Sequence, residues 1–106
     1  MIPGSSETDE RYVLDALRRF PQIERAILFG SRAKGGYKAS SDIDLALYGA
    51  DVDLDVLSGL KALLEEVGPL PHRFDLIGAT HLSHKELAAH IERVGIIIYD
   101  RRGSGE

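Results

Sequence analysis

Apolar residues recur along the chain at two different spacings, and the wider spacing predicts three helices. The first helix is predicted over 8–20, where Pro21 ends it, and the second over 53–67, where Gly68 stops it. A capping-box pattern from Ser83 to Glu86 predicts the start of a third helix, which Gly95 closes. The apolar stripe of the second helix comprises Leu54, Leu57, Leu60, Leu64 and Val67.

The narrower spacing predicts strands, and their order with the helices gives the fold class. Strands are predicted over 24–29, 42–48, 73–77 and 95–99, with a short helix or turn from Ser31 to Gly35. In the second strand, period-two alternation places Ile43, Leu45 and Leu47 on one face and Asp42, Asp44 and Ala46 on the other. The resulting order, αβ(α)βαβαβ, predicts an α/β (α+β) fold, a small mixed β-sheet with helices packed on it.

The length and composition predict one soluble domain. The 106 residues fit a single domain over 1–106, with loose ends at 1–7 and 103–106. No stretch is apolar enough to span a membrane, the N-terminus does not read as a signal peptide, and cysteine is absent, so we expect a cytoplasmic location. The net charge of −4 makes direct nucleic-acid binding unfavourable.

Three aspartates in strand-like segments are the main chemical feature. Asp42 and Asp44 flank Ile43, and Asp75 lies within a later apolar run. Aspartate is a poor strand former, and grouped carboxylates repel each other unless a cation lies between them. Because Mg²⁺ takes oxygen ligands and often uses one or two carboxylates plus substrate phosphates, these residues are candidate ligands for two Mg²⁺ ions. Asp75 is also a candidate acceptor for the proton of an attacking hydroxyl.

A glycine-serine turn precedes these aspartates and predicts a phosphate site. Gly30 allows the backbone to bend and approach a ligand, and Ser31 would offer free N–H groups at a helix start. Arg32 and Lys34 fall in a stretch without acidic residues, between Glu24 and Asp42, and are candidate phosphate ligands. The candidate nucleotide-binding residues are Gly30, Ser31, Arg32 and Lys34. In the following loop, Tyr37 could stack on a base or face solvent.

Two other metal patterns are weaker. The acidic residues at 51–55 lack the glycine and glutamate of a calcium loop, so they are better explained by the start of a helix. His72, His81, His84 and His90 lack zinc-ligand spacing and are expected at the surface or in helix caps.

The segments LFGSRAKG (28–35) and SDIDL (41–45) together resemble the minimal nucleotidyltransferases of the DNA polymerase β-like superfamily. Their pattern is Gly-Ser, ten residues, then Asp-x-Asp. The resemblance implies a polymerase β-like fold, Mg²⁺ and ATP, and transfer of AMP to an acceptor hydroxyl. Many such proteins are antitoxins that adenylylate a tyrosine of a HEPN toxin. Lys34 stands where arginine is frequent in the family.

A short chain leaves little room for an acceptor-binding domain, so we expect a partner or an oligomer to hold the acceptor. The leading expectation is a nucleotidyltransferase with Asp42, Asp44 and Asp75 as catalytic and metal-binding residues, acting on a HEPN-type partner. A small-molecule acceptor is an alternative. So is a non-catalytic module that binds a nucleotide, caps a toxin or serves only as an interaction domain.

Overall fold

The computed structural model describes residues 2–3, 5–35, 42–68, 70 and 72–101. The helices there are α1 (Glu7–Arg18), α2 (Gly30–Lys34), α3 (Leu54–Ala62) and α4 (Lys85–Val94), and a π-helical turn, Leu63–Val67, continues α3. The strands are β1 (Arg25–Phe29), β2 (Ile43–Tyr48), β3 (Phe74–Gly78) and β4 (Ile96–Asp100). The predicted elements are present in the predicted order. No helix in these ranges is long and apolar enough to cross a membrane. Tyr37 and the 103–106 tail lie outside them.

The four strands form one mixed sheet in the order β3-β2-β1-β4, which confirms the predicted fold class. β1 runs antiparallel to β2 and β4, whereas β2 and β3 are parallel neighbours joined by the crossover through α3. As a result, the end of β1 and the starts of β2 and β3 lie at the same end of the sheet. The glycine-serine turn and the three aspartates occur at these positions in the sequence.

Both faces of the sheet are covered, although unequally. Ile43, Leu45 and Leu47 are fully buried on the face that packs against α1 and α3, as the alternation predicts. The opposite face carries a smaller cluster in which Ala46 and Phe29 pack with Ile91 of α4. At the aspartate-bearing end of this face, Asp42 and Asp75 are exposed and Asp44 is half-buried.

The predicted helix over 53–67 changes character near its end. The α-helix stops at Ala62, and the Gly68 N–H donates to the Leu63 carbonyl at 3.1 Å, an i→i+5 bond that defines the π-helical turn. The expected apolar stripe is wrong at both ends, since Leu54 and Val67 are 75% and 72% exposed. Leu54 is the first residue of the helix, and the wider turn shifts Val67 out of phase with the stripe.

The N-terminal segment is more ordered than the sequence predicts. Ile2 is 1% exposed within the main core, and its backbone N–H donates to the Glu10 carboxylate at 3.0 Å. Glu7 already belongs to α1, which Ser6 caps by accepting from the Asp9 N–H. The expectation of a loose segment over 1–7 is therefore wrong for Ile2, Ser6 and Glu7, because the apolar side chain of Ile2 fills a place in the core.

The cap of α4 also differs from the prediction. The helix begins at Lys85, and His84 rather than Ser83 is the N-cap. The His84 Nδ1 accepts a hydrogen bond from the Leu87 N–H at 3.0 Å. A ring nitrogen thus fills the place usually taken by a hydroxyl or carboxylate oxygen.

Truncation of Ile2 tests whether the N-terminal segment belongs to the core. Ile2→Ala should lower the free energy of unfolding by about 2–4 kcal/mol, because a buried aliphatic side chain leaves a cavity. Leu54→Ala is the matched control and should change it by less than about 0.5 kcal/mol, because that leucine is exposed. Urea denaturation measures both. Equal effects of the two substitutions would contradict the burial of Ile2.

Candidate active site

The turn after β1 is shaped by a close contact between a glycine and a carboxylate. Gly30 has a φ of +77°, and a Cβ built on it would lie 2.1 Å from Oδ2 of Asp44. A side chain at this position would be strained by the backbone angle and would overlap the carboxylate unless the carboxylate moved. Gly35 ends α2 in the left-handed conformation, which confirms the predicted short helix and its break. Ser31 is exposed at the start of this helix.

The three predicted aspartates lie at one end of the sheet, where β2 and β3 begin. Asp44 pairs with Phe29 on β1 and with Asp75 on β3, so Asp44 lies on the central strand between the turn and the third carboxylate. Residues paired across neighbouring strands share a face, and so do residues two apart on one strand. Asp42 directly precedes β2, two residues before Asp44. Asp42 and Asp75 are exposed, whereas Asp44 is half-buried.

Asp44 carries the electrostatic consequence of this arrangement. Its pKa is raised from 3.8 to about 6, first by burial and then by the negative charges of Asp75 and Asp42. Each of these causes penalises the ionised form of Asp44. A cation bound beside it would relieve that penalty.

Within the described ranges, no group of three or more Asp, Glu, His or Cys side chains is placed to hold a metal ion by itself. Mg²⁺ seldom uses an all-protein cage and is commonly held by one or two carboxylates together with substrate phosphates. The carboxylates of Asp42, Asp44 and Asp75 lie together at one end of the sheet, which suits that mode of binding.

The two predicted phosphate-binding cations lie in different surroundings. Arg32 is 1% exposed, donates to the Pro3 carbonyl at 2.8 Å and lies 3.4 Å from the His72 Nδ1. Its guanidinium therefore tethers the turn to the N-terminal segment instead of projecting into solvent. Lys34, at the end of α2, is exposed. The role of either side chain in phosphate binding stays a prediction.

His72 lies beside Arg32, a contact that was not predicted from the sequence. Burial lowers its pKa, and the positive charge of Arg32 lowers it further, although Asp9 opposes both. The histidine is therefore neutral near pH 7 and packed against Arg32, not a surface residue as expected. No local pattern could have predicted this contact, since 40 residues separate the two side chains.

Several solved structures resemble this chain, and the similar ones include toxin–antitoxin complexes. A toxin–antitoxin structure with AMP-PNP is 27% identical, with a TM-score of 0.71 over 86% of this chain and 73% of that one. The complex of a tri-AMPylated Shewanella oneidensis HEPN toxin with an MNT antitoxin is 23% identical and shares the fold, with a TM-score of 0.67 over 93% and 76% of the two chains. A nucleotidyltransferase-type structure from Sulfolobus solfataricus has a TM-score of 0.55 at 21% identity, over 88% and 78%.

Comparison with curated proteins gives no significant match. The sequence model of the family described as "Polymerase beta, Nucleotidyltransferase" matches residues 13–103. That span includes the glycine-serine turn, the three aspartates and all four strands. The resemblance drawn from the sequence is thereby confirmed, and the chain belongs to the polymerase beta nucleotidyltransferase family.

Proposed function

We propose that this protein is a Mg²⁺-dependent nucleotidyltransferase that transfers AMP from ATP to a hydroxyl acceptor, a tyrosine of a HEPN-type partner. The observation that carries the proposal is the placement of Asp44 between the Gly30 turn and Asp75. A polyphosphate would meet backbone N–H groups on one side of Asp44 and carboxylates on the other. Membership of the nucleotidyltransferase family supports the same chemistry.

The turn would bind the triphosphate. Gly30 lets the backbone approach closely, and the Ser31 hydroxyl is exposed where a phosphate oxygen could accept from it. Lys34 is exposed on the same short helix and can add a positive charge, but without the bidentate geometry of arginine. Arg32 would act indirectly, by holding the turn against Pro3 and His72.

Asp42 and Asp44 would hold the ion bound to the nucleotide, and Asp75 would complete a second metal position. Bound Mg²⁺ supplies charge neutralisation to the triphosphate and lowers the pKa of the attacking hydroxyl. The acceptor oxygen forms a bond to the α-phosphorus, the bond from that phosphorus to the bridging oxygen of pyrophosphate breaks, and pyrophosphate leaves. The hydroxyl proton passes to the carboxylate of Asp75, which is exposed and can therefore reach an incoming acceptor.

The aspartate-bearing end of the sheet is accessible to a protein acceptor. Asp42 and Asp75 are exposed, so a side chain from a partner can approach them without opening a lid. Among the similar structures, one toxin–antitoxin complex contains AMP-PNP and another contains an AMPylated HEPN toxin. We therefore place the acceptor tyrosine on a partner of that class.

Label transfer from ATP tests the proposal directly. The full chain, Mg²⁺, ATP labelled in the α-phosphate and the product of the adjacent gene should give a labelled partner. Asp42→Asn and Asp44→Asn should each lower the rate at least about 100-fold, because each removes a metal ligand. Asp51→Asn, at an exposed aspartate of the loop after β2, is the matched control and should keep the wild-type rate.

The same assay separates the alternatives. Unlabelled partner that is inhibited equally by wild type and by both site variants would indicate a toxin-capping module. Labelling of an added small hydroxyl compound, with the partner unlabelled, would move the acceptor to a small molecule. Failure of any acceptor to take up label would overturn the proposed transfer.

The raised pKa of Asp44 makes the metal-free protein sensitive to pH. A carboxyl whose pKa is higher in the folded state than in the unfolded state binds its proton more tightly when folded, so stability falls as pH rises from about 4 to 6. Asp44→Asn removes that loss. At pH values above 6 the variant should therefore have a higher thermal midpoint than wild type, and near pH 4 the two midpoints should be equal. Scanning calorimetry in EDTA measures this, with Asp51→Asn as control. A gain of equal size at pH 4 and pH 7 would refute the link to ionisation.

Alanine at Gly30 tests the contact with Asp44. Gly30→Ala should lower the transfer rate by more than about tenfold, because the new methyl group displaces the carboxylate that holds the metal. Gly35→Ala is the matched control, since Gly35 also has a positive φ but a Cβ there would meet no atom within 4 Å. Both substitutions should destabilise the fold in urea by about 1–2 kcal/mol. Equal loss of transfer in the two variants would show that backbone strain alone is responsible.

A further inference from the structure

A carboxylate from the π-helical turn holds the first residue of β3. Oε2 of Glu65 accepts a hydrogen bond from the Phe74 N–H at 2.6 Å. Phe74 directly precedes Asp75. Glu65 thus acts on the backbone one residue away from a carboxylate of the proposed active site.

The Phe74 amide has no partner on β2, which explains the need for this contact. The Ile43 N–H of β2 donates to the Arg73 carbonyl at 2.9 Å, so Arg73 turns its backbone groups toward β2. Successive residues of a strand turn these groups to opposite edges, and the Phe74 N–H therefore points outward from an edge strand. Phe74 is 2% exposed, and a buried donor without an acceptor costs about 1–3 kcal/mol.

The base from which Glu65 reaches β3 is itself fixed. The Leu63 carbonyl accepts both the Gly68 N–H at 3.1 Å and the Tyr12 hydroxyl at 3.0 Å. Tyr12 belongs to α1, so the π-helical turn is fastened to a second helix. Gly68 lies so close to the Tyr12 ring that an added Cβ would be 2.5 Å from it. The π-helical turn that carries Glu65 is therefore packed tightly against α1.

We propose that Glu65 is a positioning residue for Asp75, which it keeps in register with Asp44 by binding the Phe74 amide at the outer edge of β3. The inference rests on the proposed function, in which Asp75 acts on the reacting groups. Without the bond, the first residues of this edge strand lose their outer anchor. A displacement of about 1 Å at a reacting group can cost about 100-fold in rate.

Three substitutions at Glu65 separate reach from charge. Glu65→Ala removes the acceptor, Glu65→Asp keeps the charge but shortens the reach by one methylene, and Glu65→Gln keeps an acceptor oxygen without the charge. Glu66→Ala is the control, since the neighbouring glutamate is exposed. Asp75→Asn supplies the reference for loss of the carboxylate itself. All are made in the full chain.

Two readouts are taken on folded protein. The first is the hydrogen-exchange rate of the Asp75 backbone amide by NMR in EDTA, which reports opening of the start of β3 and needs no transfer activity. The second is the rate of AMP transfer. Glu65→Ala and Glu65→Asp should speed exchange of the Asp75 amide about tenfold and lower kcat by about 10–100-fold with the KM for ATP within about twofold. Glu65→Gln and Glu66→Ala should match wild type in both.

Unchanged exchange of the Asp75 amide in folded Glu65→Ala and Glu65→Asp would overturn the inference. If Glu65→Ala does not fold, Glu65→Asp decides alone. Faster exchange in a protein whose wild type transfers no AMP would refute the proposed function while supporting the anchoring of β3 by Glu65. Faster exchange with a normal kcat would show a purely structural glutamate and overturn its positioning role.

Discussion

The contact between the Gly30 backbone and the Asp44 carboxylate is the constraint on which the site depends. It requires a residue without a side chain and a turn with positive φ at the end of β1. Asp44 is half-buried there beside two other carboxylates, and its burial and their charges raise its pKa to about 6. Burial and the neighbouring charges both penalise the ionised form of Asp44, and the proposed metal ion would relieve that penalty.

The topology of the sheet turns that local contact into a site. Antiparallel pairing returns the chain from β1 to β2, and the crossover through α3 sets β3 parallel to β2. Three chain segments therefore start or end at one end of the sheet, and together they carry the glycine-serine turn and the three aspartates. On the same face, Phe29 and Ala46 pack with Ile91 of α4, whereas Asp42 and Asp75 are exposed. These exposed carboxylates are the part of the face that a substrate of the proposed reaction could reach.

Several polar contacts serve to hold these segments in place. Arg32 donates to the Pro3 carbonyl and lies beside the neutral ring of His72, so a residue predicted from the sequence to bind phosphate also helps to anchor the N-terminal segment. Glu65 binds the Phe74 amide, and the Thr80 hydroxyl accepts from the Gly49 N–H at 2.7 Å at the other end of β3. Hydrogen bonds thereby hold both ends of the edge strand that carries Asp75, the carboxylate that we propose to accept the hydroxyl proton.

The sequence by itself determined the element types, their order and the residues of the turn and the aspartate group. These depend on local periodicity, on glycine at a sharp turn, and on the spacing between Gly-Ser and Asp-x-Asp, all of which are visible within short windows. Only the tertiary structure decided that Arg32 is buried, that Ile2 belongs to the core, that His84 rather than Ser83 caps α4, and that Glu65 reaches β3. The contacts that hold Ile2, Arg32 and Glu65 join residues 8 to 40 positions apart in the sequence. The cap of α4 depends on where the first turn of that helix packs against the sheet. Such choices follow from which surfaces meet when the chain folds, and no spacing within one segment encodes them.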